Sequence, residues 1–325
     1  MDIISNPTPD EIKKAAKALK DGHLVAFPTE TVYGLGADAT NEKAVSRIYS
    51  VKGRPTDHPL IVHISSINQL EKWAIEIPEY AIKLAKEFWP GPMTLILKRS
   101  DLAKDFITGA QDNVGIRVPA HPLAFELISQ FEKLGGLGIV APSANRFGAV
   151  SPTNSNAVHE ELSNYLCDSD QILDGGQCII GIESTIISCL AGFPIVFRPG
   201  LVSLKQISNV TGINERTEAI TNSIKVPGIL PVHYSPKANV LLQGLAKRGD
   251  GFIAFAHIKT PEGSIRLASP KTIDQFAKEL YESLRLADQK GLKNIIVIPP
   301  DGDGLAFAIR ERLNKAAENR IAIDL

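Results

Sequence analysis

The residues best suited to chemistry are cations, hydroxyls and amides placed just after short apolar runs. In Lys52-Gly53-Arg54-Pro55 two cations stand two apart around a glycine. Gly53 and Pro55 discourage continuation of the preceding helix. Read as extended chain, Lys52 and Arg54 project to one side, which suits a polyphosphate: lysine as a point charge, arginine as a two-toothed fork. The alternative is a solvated basic turn. Ala141-Pro142-Ser143-Ala144-Asn145 repeats the spacing with polar groups after an expected strand, where α/β proteins form ligand crevices. Its alternative is a Ser/Thr turn leading into a helix cap.

Other segments fit the same chemistry. Phe27-Pro28-Thr29-Glu30-Thr31-Val32-Tyr33-Gly34-Leu35-Gly36 places hydroxyls and glycines at a strand end. Gly34 and Gly36 lack the third glycine of a dinucleotide fingerprint, and no GxxxxGK[ST] loop occurs anywhere. Arg117, in Gly115-Ile116-Arg117-Val118-Pro119, alternates with apolar neighbours and reads as a carboxylate clamp or as an exposed edge-strand charge. Gly181-Ile182-Glu183-Ser184-Thr185 and Arg198-Pro199-Gly200 add hydroxyls and a cation, and Ser151 follows Gly148. His58 and His63 are not at helical spacing, and no carboxylate pattern beside them supports a metal. There is no Ser/His/Asp order, no nucleophile elbow and no outstanding carboxylate pair. Such a set binds and positions anions, and nucleotidyl transfer can be catalysed by positioning and charge stabilisation alone.

The elements that must carry these groups follow from periodicity. Thr8-Pro9-Asp10-Glu11 is a helix start with a capping box, predicting a helix to about Lys20. Strands are expected at Leu24–Phe27, Leu60–Ile64, Thr94–Leu97, Val114–Val118 and Gly138–Ala141. Helices are expected at Glu42–Tyr49, Tyr80–Phe88 and Leu123–Phe131. Glu183–Leu190 and Pro194–Phe197 read as a hairpin. Strands linked both singly and by hairpins predict a mixed-sheet α/β domain over residues 1–207. A Gly/Pro/Asn/Ser-rich linker follows at 208–237. A smaller α/β unit occupies 238–325, with strands at Phe252–Phe255 and Ile295–Ile298 and helices at Ile273–Ala287 and Leu305–Ala317.

With 44% hydrophobic and 22% charged residues the chain reads as globular, and a net charge of -1 demands no nucleic-acid or membrane partner. Residues Met1–Asp10 show no secretory pattern, and apolar runs such as Ile295–Pro300 are too short to span a bilayer. Cys167, Cys178 and Cys189 have neither disulfide nor zinc spacing. A cytoplasmic protein is expected.

Taken together, the motifs above, with Pro59-Leu60-Ile61-Val62-His63 and Trp89-Pro90-Gly91-Pro92, closely resemble the threonylcarbamoyl-AMP synthase family over residues 10 to 200. Asp174-Gly175-Gly176 extends the match, and His233-Tyr234-Ser235-Pro236 with the second unit resembles the long, two-domain form. The resemblance implies a YrdC-like twisted open mixed sheet with a concave active-site face, followed by a Rossmann-like domain. It implies synthesis of threonylcarbamoyl-AMP and pyrophosphate from L-threonine, bicarbonate and ATP. Magnesium would accompany ATP without dedicated protein ligands. Downstream proteins would transfer the threonylcarbamoyl group to the adenosine beside the anticodon of certain tRNAs, and weak tRNA contact is compatible with this role. By the same resemblance, Thr31, His63, Arg117, Ala141 and Ser184 would hold threonine. Lys52, Arg54, His58, Asn113, Ser143, Asn145, Ser151, Arg198 and the linker's Tyr234 would contact ATP, with Lys52, Arg54, Ser143 and Asn145 catalytic. The chain departs from family habit at His58, at Arg310, and in Gly228-Ile229-Leu230-Pro231-Val232-His233, which lacks basic residues. The competing class is a non-catalytic RNA-binding module of the same fold. It should carry exposed aromatics or a basic excess, whereas aromatics are only 6% and the net charge is negative.

Overall fold

The computed structural model describes residues 3–213 and 234–317. The first unit runs β1 (Ile3–Ser5), α1 (Pro9–Lys20), β2 (Val25–Phe27), β3 (Gly34–Asp38), α2 (Glu42–Lys52), β4 (Ile61–His63), α3 (Leu70–Trp73), α4 (Glu79–Phe88) and β5 (Met93–Lys98). It continues with α5 (Asp105–Thr108), β6 (Asn113–Arg117), α6 (Pro122–Lys133), β7 (Ile139–Val140), α7 (Ser155–Leu162), β8 (Gln171–Asp174), β9 (Thr185–Ser188), β10 (Ile195–Arg198) and α8 (Leu204–Thr211). The second unit holds β11 (Asn239–Leu241), β12 (Gly251–Ile253), β13 (Ile265–Ala268), α9 (Ile273–Gln289), β14 (Asn294–Val297) and α10 (Leu305–Ala317). The expected division at 207/208 falls inside α8. Of the expected linker, residues 214–233 lie outside the described residues, the Gly228–His233 stretch among them.

The capping box forms as the sequence predicts: Thr8 accepts from the Glu11 amide, and the Glu11 carboxylate accepts from the Thr8 amide at 2.7 Å. The first sheet is mixed, in the order β1-β8-β2-β3-β7-β4-β6-β5-β9-β10, and β9 and β10 pair antiparallel as the expected hairpin. The second sheet is wholly parallel, β11-β14-β12-β13, so the open mixed sheet and the smaller Rossmann-like unit are both present. β1, β3, β8, β11 and β13 are additions to the strands expected from periodicity.

Alternation along the strands decides where the site lies. Val62, Ile116, Leu95 and Ile187 turn to the face covered by α2, α3, α4 and α8, in the largest apolar cluster. On the opposite face α1 and α6 cover β2, β7 and β8 with Leu19, Leu127 and Phe131. His63 pairs with Ile139 on that face, and Arg117 pairs with His63. Beyond β7, the same face of β4, β6, β5 and β9 therefore carries His63, Arg117 and Thr94 beside a small apolar cluster of Ile61, Ile96, Ile186 and Phe197. No helix among the described residues is long and apolar enough to cross a membrane.

Candidate active site

At the edge of that polar face lies a narrow, partly enclosed space of about 60 Å³. Its lining includes Thr31, His63, Arg117, Ala141 and Ser184 together with Arg54, Ser143, Arg198, Glu183 and Tyr234. Segments more than two hundred residues apart in the chain thus converge on one point.

Arg117 is 5% exposed and sits in an interior strand, which removes the edge-strand reading. Its carboxylate partner in the chain is Glu30: Nη2 donates to Oε1 at 2.6 Å, while the other oxygen accepts from the Ala120 amide at 3.0 Å. Its Nε donates to the Gly91 carbonyl at 3.3 Å, so the Trp89-Pro90-Gly91-Pro92 turn sets its height. Nη1 makes no bond among the described residues. Beside it the His63 ring contacts the Ile61 carbonyl through Nδ1 at 3.2 Å. Burial, reinforced by the Arg117 charge, pushes the His63 pKa down to about 3, so the ring is neutral at ordinary pH. Thr31 shares its hydroxyl with Thr29 at 2.8 Å. Ser184 shares its hydroxyl with Thr94 at 2.8 Å and also accepts from Arg198 Nη2 at 3.1 Å. A second Arg198 bond, from Nε to the Ser184 carbonyl at 3.0 Å, locks guanidinium to loop.

The Lys52–Arg54 segment is not extended. Lys52 is the last residue of α2, and Gly53 closes the helix in the left-handed region at φ 63°. A side chain there would also press on Arg146, whose Nη2 lies 2.8 Å from the position of an added Cβ. Arg54 consequently turns inward. Its Nη2 donates to the Pro59 carbonyl at 3.0 Å, and its buried Nε has no partner among the described residues. Burial lowers its pKa to about 10, which leaves it cationic. Lys52 is 2% exposed and does not line the space: its Nζ donates to the carbonyls of Ser143 and Asn145, each at 2.5 Å. Burial, then the Arg54 charge, pushes the Lys52 pKa well down. Asn145 spans its own loop, donating to the carbonyls of Arg146 (2.7 Å) and Ala149 (2.8 Å), and its buried Oδ1 has no partner among the described residues. A buried unpaired donor and a buried unpaired acceptor are costly unless something binds them.

Ser151 is fully buried behind this wall, donating to Glu183 Oε1 at 2.6 Å. His58 stands next to Arg54 through Phe147, whose ring centroid is 5.4 Å from that of His58 and 5.9 Å from the Arg54 guanidinium. Asn113 is not brought in. It begins β6, four residues and about 13 Å of strand from Arg117, in a groove with Lys98 and Ala191. In a larger groove of about 770 Å³ beside Lys98, Arg99 and Lys104, Arg99 is committed to Asp105 at 2.6 Å and Lys98 to Glu76 at 2.5 Å. Sequence reasoning missed the roles of Glu183, which lines the space, and of Glu30 and Thr94, which hold the lining residues Arg117 and Ser184 from behind. Glu30 needs a cation because it is buried, which the fold shows and the loop's composition does not.

One trio outside the site, His23, Cys167 and Asp170, brings potential ligand atoms within 4.8 Å of one another. Arg47 already occupies both Asp170 oxygens, at 2.9 and 2.6 Å, leaving little reason for a cation there.

A mixed sheet whose strand ends gather cations and hydroxyls around one small space defines an α/β protein with a site suited to small anionic ligands. Comparison with known proteins makes this specific. Residues 17–200 match a family model described as "Telomere recombination", and residues 202–318 match "Threonylcarbamoyl-AMP synthase, C-terminal domain". The threonylcarbamoyl-AMP synthase of Pyrococcus abyssi is 40% identical, with 96% of this chain and 95% of that protein covered. The Bacillus subtilis protein of the same name is 38% identical, with 96% and 94% covered. The crystal structure of P. abyssi Sua5 complexed with L-threonine superposes with a TM-score of 0.87 at 38% identity, covering 98% of each chain. The chain belongs to the threonylcarbamoyl-AMP synthase family, and it is an enzyme of the nucleotidyltransferase type.

Proposed function

We propose that this enzyme makes threonylcarbamoyl-AMP from L-threonine, bicarbonate and ATP, as precursor of threonylcarbamoyladenosine beside the anticodon of tRNA. The observation that carries the reading is the convergence, around one buried space, of two partly uncommitted guanidinium groups, Arg117 and Arg54. The threonine amine condenses with bicarbonate, losing water, to a carbamate. A carbamate oxygen attacks the α-phosphorus of ATP, the bond to the bridging oxygen breaks, and pyrophosphate leaves.

Arg117 Nη1 takes the threonine carboxylate, with Ser184, Thr31, His63 and Ala141 around the amino acid. Neutral His63 and the hydroxyls engage the threonine hydroxyl, recognition that discriminates because a missing hydroxyl leaves a buried partner unpaired. Arg54 and Arg198, with Ser143, hold the phosphates and stabilise charge developing there. Lys52 acts first through the loop: it fixes the carbonyls of Ser143 and Asn145, while Ser151 and His58 support the nucleotide wall. Asn113 reaches ATP only if the nucleotide extends well beyond this space. Glu30 and Glu183 are each committed to an arginine. Magnesium therefore fits this site as a companion of the triphosphate rather than as a guest of protein carboxylates, and there it would offset phosphate charge. The space of about 60 Å³ is far below the ~300–1,000 Å³ of small-molecule sites, so part of its wall withdraws for ATP to enter, and we assign that movement to Tyr234. A cytoplasmic setting, hand-over to transfer proteins and weak tRNA contact belong to the same proposal.

The test is incubation of the full chain with ATP, bicarbonate and L-threonine, with mass detection of the adenylate and a pyrophosphate assay. An adenylate that requires all three substrates is expected. Pyrophosphate release indifferent to threonine would refute the reading.

A further inference from the structure

The second unit reaches into the site. From α10, Arg312 is fully buried, and its Nε donates to Glu183 Oε2 at 3.1 Å. From α9, Tyr281 donates its hydroxyl to the same oxygen at 2.9 Å. The other Glu183 oxygen takes the Ser151 hydroxyl at 2.6 Å, and Glu183 is joined by one peptide bond to Ser184. Both oxygens of one carboxylate thus join two helices of the second unit to two loops of the first. Arg285 of α9 adds a bond to the Val150 carbonyl and a 3.2 Å bond to Glu161 of α7, holding the segment that ends at Ser151. The contact is close enough to constrain backbone. Gly181 lies at φ 85°, and a Cβ there would sit 2.5 Å from the Ala277 carbonyl oxygen and the Lys278 Cα of α9. Tyr234 is stacked on Tyr281 at 5.6 Å, with the Arg312 guanidinium 5.5 Å from its ring centre.

A domain merely tethered to its neighbour would meet it through solvated contacts, but this junction centres on a desolvated ion pair, beside an apolar cluster that joins Val32, Val150 and Ile182 to Tyr281. Such pairs contribute little net stability compared with apolar packing. Removing one partner, however, strands the other charge. Their best-attested use is to specify one arrangement over others.

We propose that Arg312 and Tyr281 of the second α/β unit are positioning residues of the active site, fixing Glu183 and through it Ser151 and the Ser184 loop. The inference deepens the functional reading above and rests on it for the identity of the ligands. It gives the second unit a role in organising the site for the nucleotide and the amino acid. Arg310, two positions away on α10, serves a separate purpose, capping the carbonyls of Pro300 and Gly302, both at 2.6 Å.

The experiment compares wild type with Arg312→Leu, Arg312→Lys and Tyr281→Phe in the full chain. Three readouts apply: melting temperature, steady-state kinetics, and amide exchange over residues 146–152 and 181–185. In Arg312→Leu we expect kcat to fall and KM for ATP to rise, together costing roughly 10–10²-fold in kcat/KM. Faster exchange should be confined to the two loops, and Arg312→Lys should recover part of the loss. Tyr281→Phe removes one hydrogen bond without opening a cavity, and a loss of about threefold or more in kcat/KM is expected there, at the scale of one hydrogen bond. If Arg312→Leu fails to fold, Tyr281→Phe decides: wild-type kinetics with wild-type exchange overturn the proposal. A folded Arg312→Leu with both kinetics and exchange unchanged also overturns it. If wild type forms no adenylate, the functional reading fails by itself, and the exchange data still decide the positioning role.

Discussion

Two buried guanidinium–carboxylate pairs flank the site, and they differ in what they leave over. Arg117–Glu30 lies within the first unit, and Arg117 keeps one nitrogen uncommitted toward the enclosed space. Arg312–Glu183 bridges the two units, and the carboxylate is consumed by Arg312, Tyr281 and Ser151. The same ion pair thus serves as a ligand clamp with its own counter-ion in one place and as scaffolding in the other. Burial alone does not tell them apart; the count of committed donors and acceptors does.

The largest effect expected from this contrast is on Arg117. Arg117→Met should lower kcat/KM for threonine by roughly 10²–10³-fold and destabilise the fold, because Glu30 is stranded. Adding Glu30→Gln should restore melting temperature but not turnover. Recovery of turnover in the double variant would make Arg117 structural and erase the contrast.

A smaller effect concerns pH. Burial raises the Glu183 pKa, but Arg312 and Arg198 with the Ser151 hydrogen bond outweigh it and hold the group at about 2, against an ordinary 4.5. A depressed carboxylate stabilises the fold above its unfolded pKa. That contribution, on the order of 3 kcal/mol, is lost as pH falls from 4.5 toward 2. His63 acts in the same direction for the opposite reason: the unfolded ring takes a proton near 6.5, whereas the buried ring does so only near 3. Denaturant titrations of wild type and Glu183→Gln from about pH 7 to about pH 3 should show a shallower acid decline in the variant. Parallel declines would mean that Glu183 is not held ionised by this network.

The smallest effect lies far from both pairs. Thr8→Ala removes the α1 cap and should cost about 1 kcal/mol in stability, with both KM values unchanged. A change in KM would show that α1 packing reaches the site.

Local signals were well written in the sequence. The Thr8 box, the apolar stripe of α6 and the hairpin of β9 and β10 were readable because each depends on neighbours in the chain. β3 was hidden because Gly34-Leu35-Gly36-Ala37-Asp38 carries the composition of a turn. β8, four residues with Gln171 and Asp174 at its ends, offers little alternation. The Lys52–Arg54 turn was misread because a left-handed glycine after a helix and an extended glycine look alike in sequence. The two ion pairs were invisible to spacing: Arg117 lies 87 residues from Glu30, and Arg312 lies 129 from Glu183. The motifs named the parts of the site, but only the fold shows which parts are already spoken for.

The central claim is that one face of β4, β6, β5 and β9 gathers both substrates. Its most direct test is a crystal structure of the full chain grown with L-threonine and a non-hydrolysable ATP analogue. The account predicts the threonine carboxylate on Arg117 beside Ser184, with the phosphates between Arg54 and Arg198. Either ligand bound instead in the groove beside Lys98 and Asn113, with the Arg117 space left untouched, would contradict it.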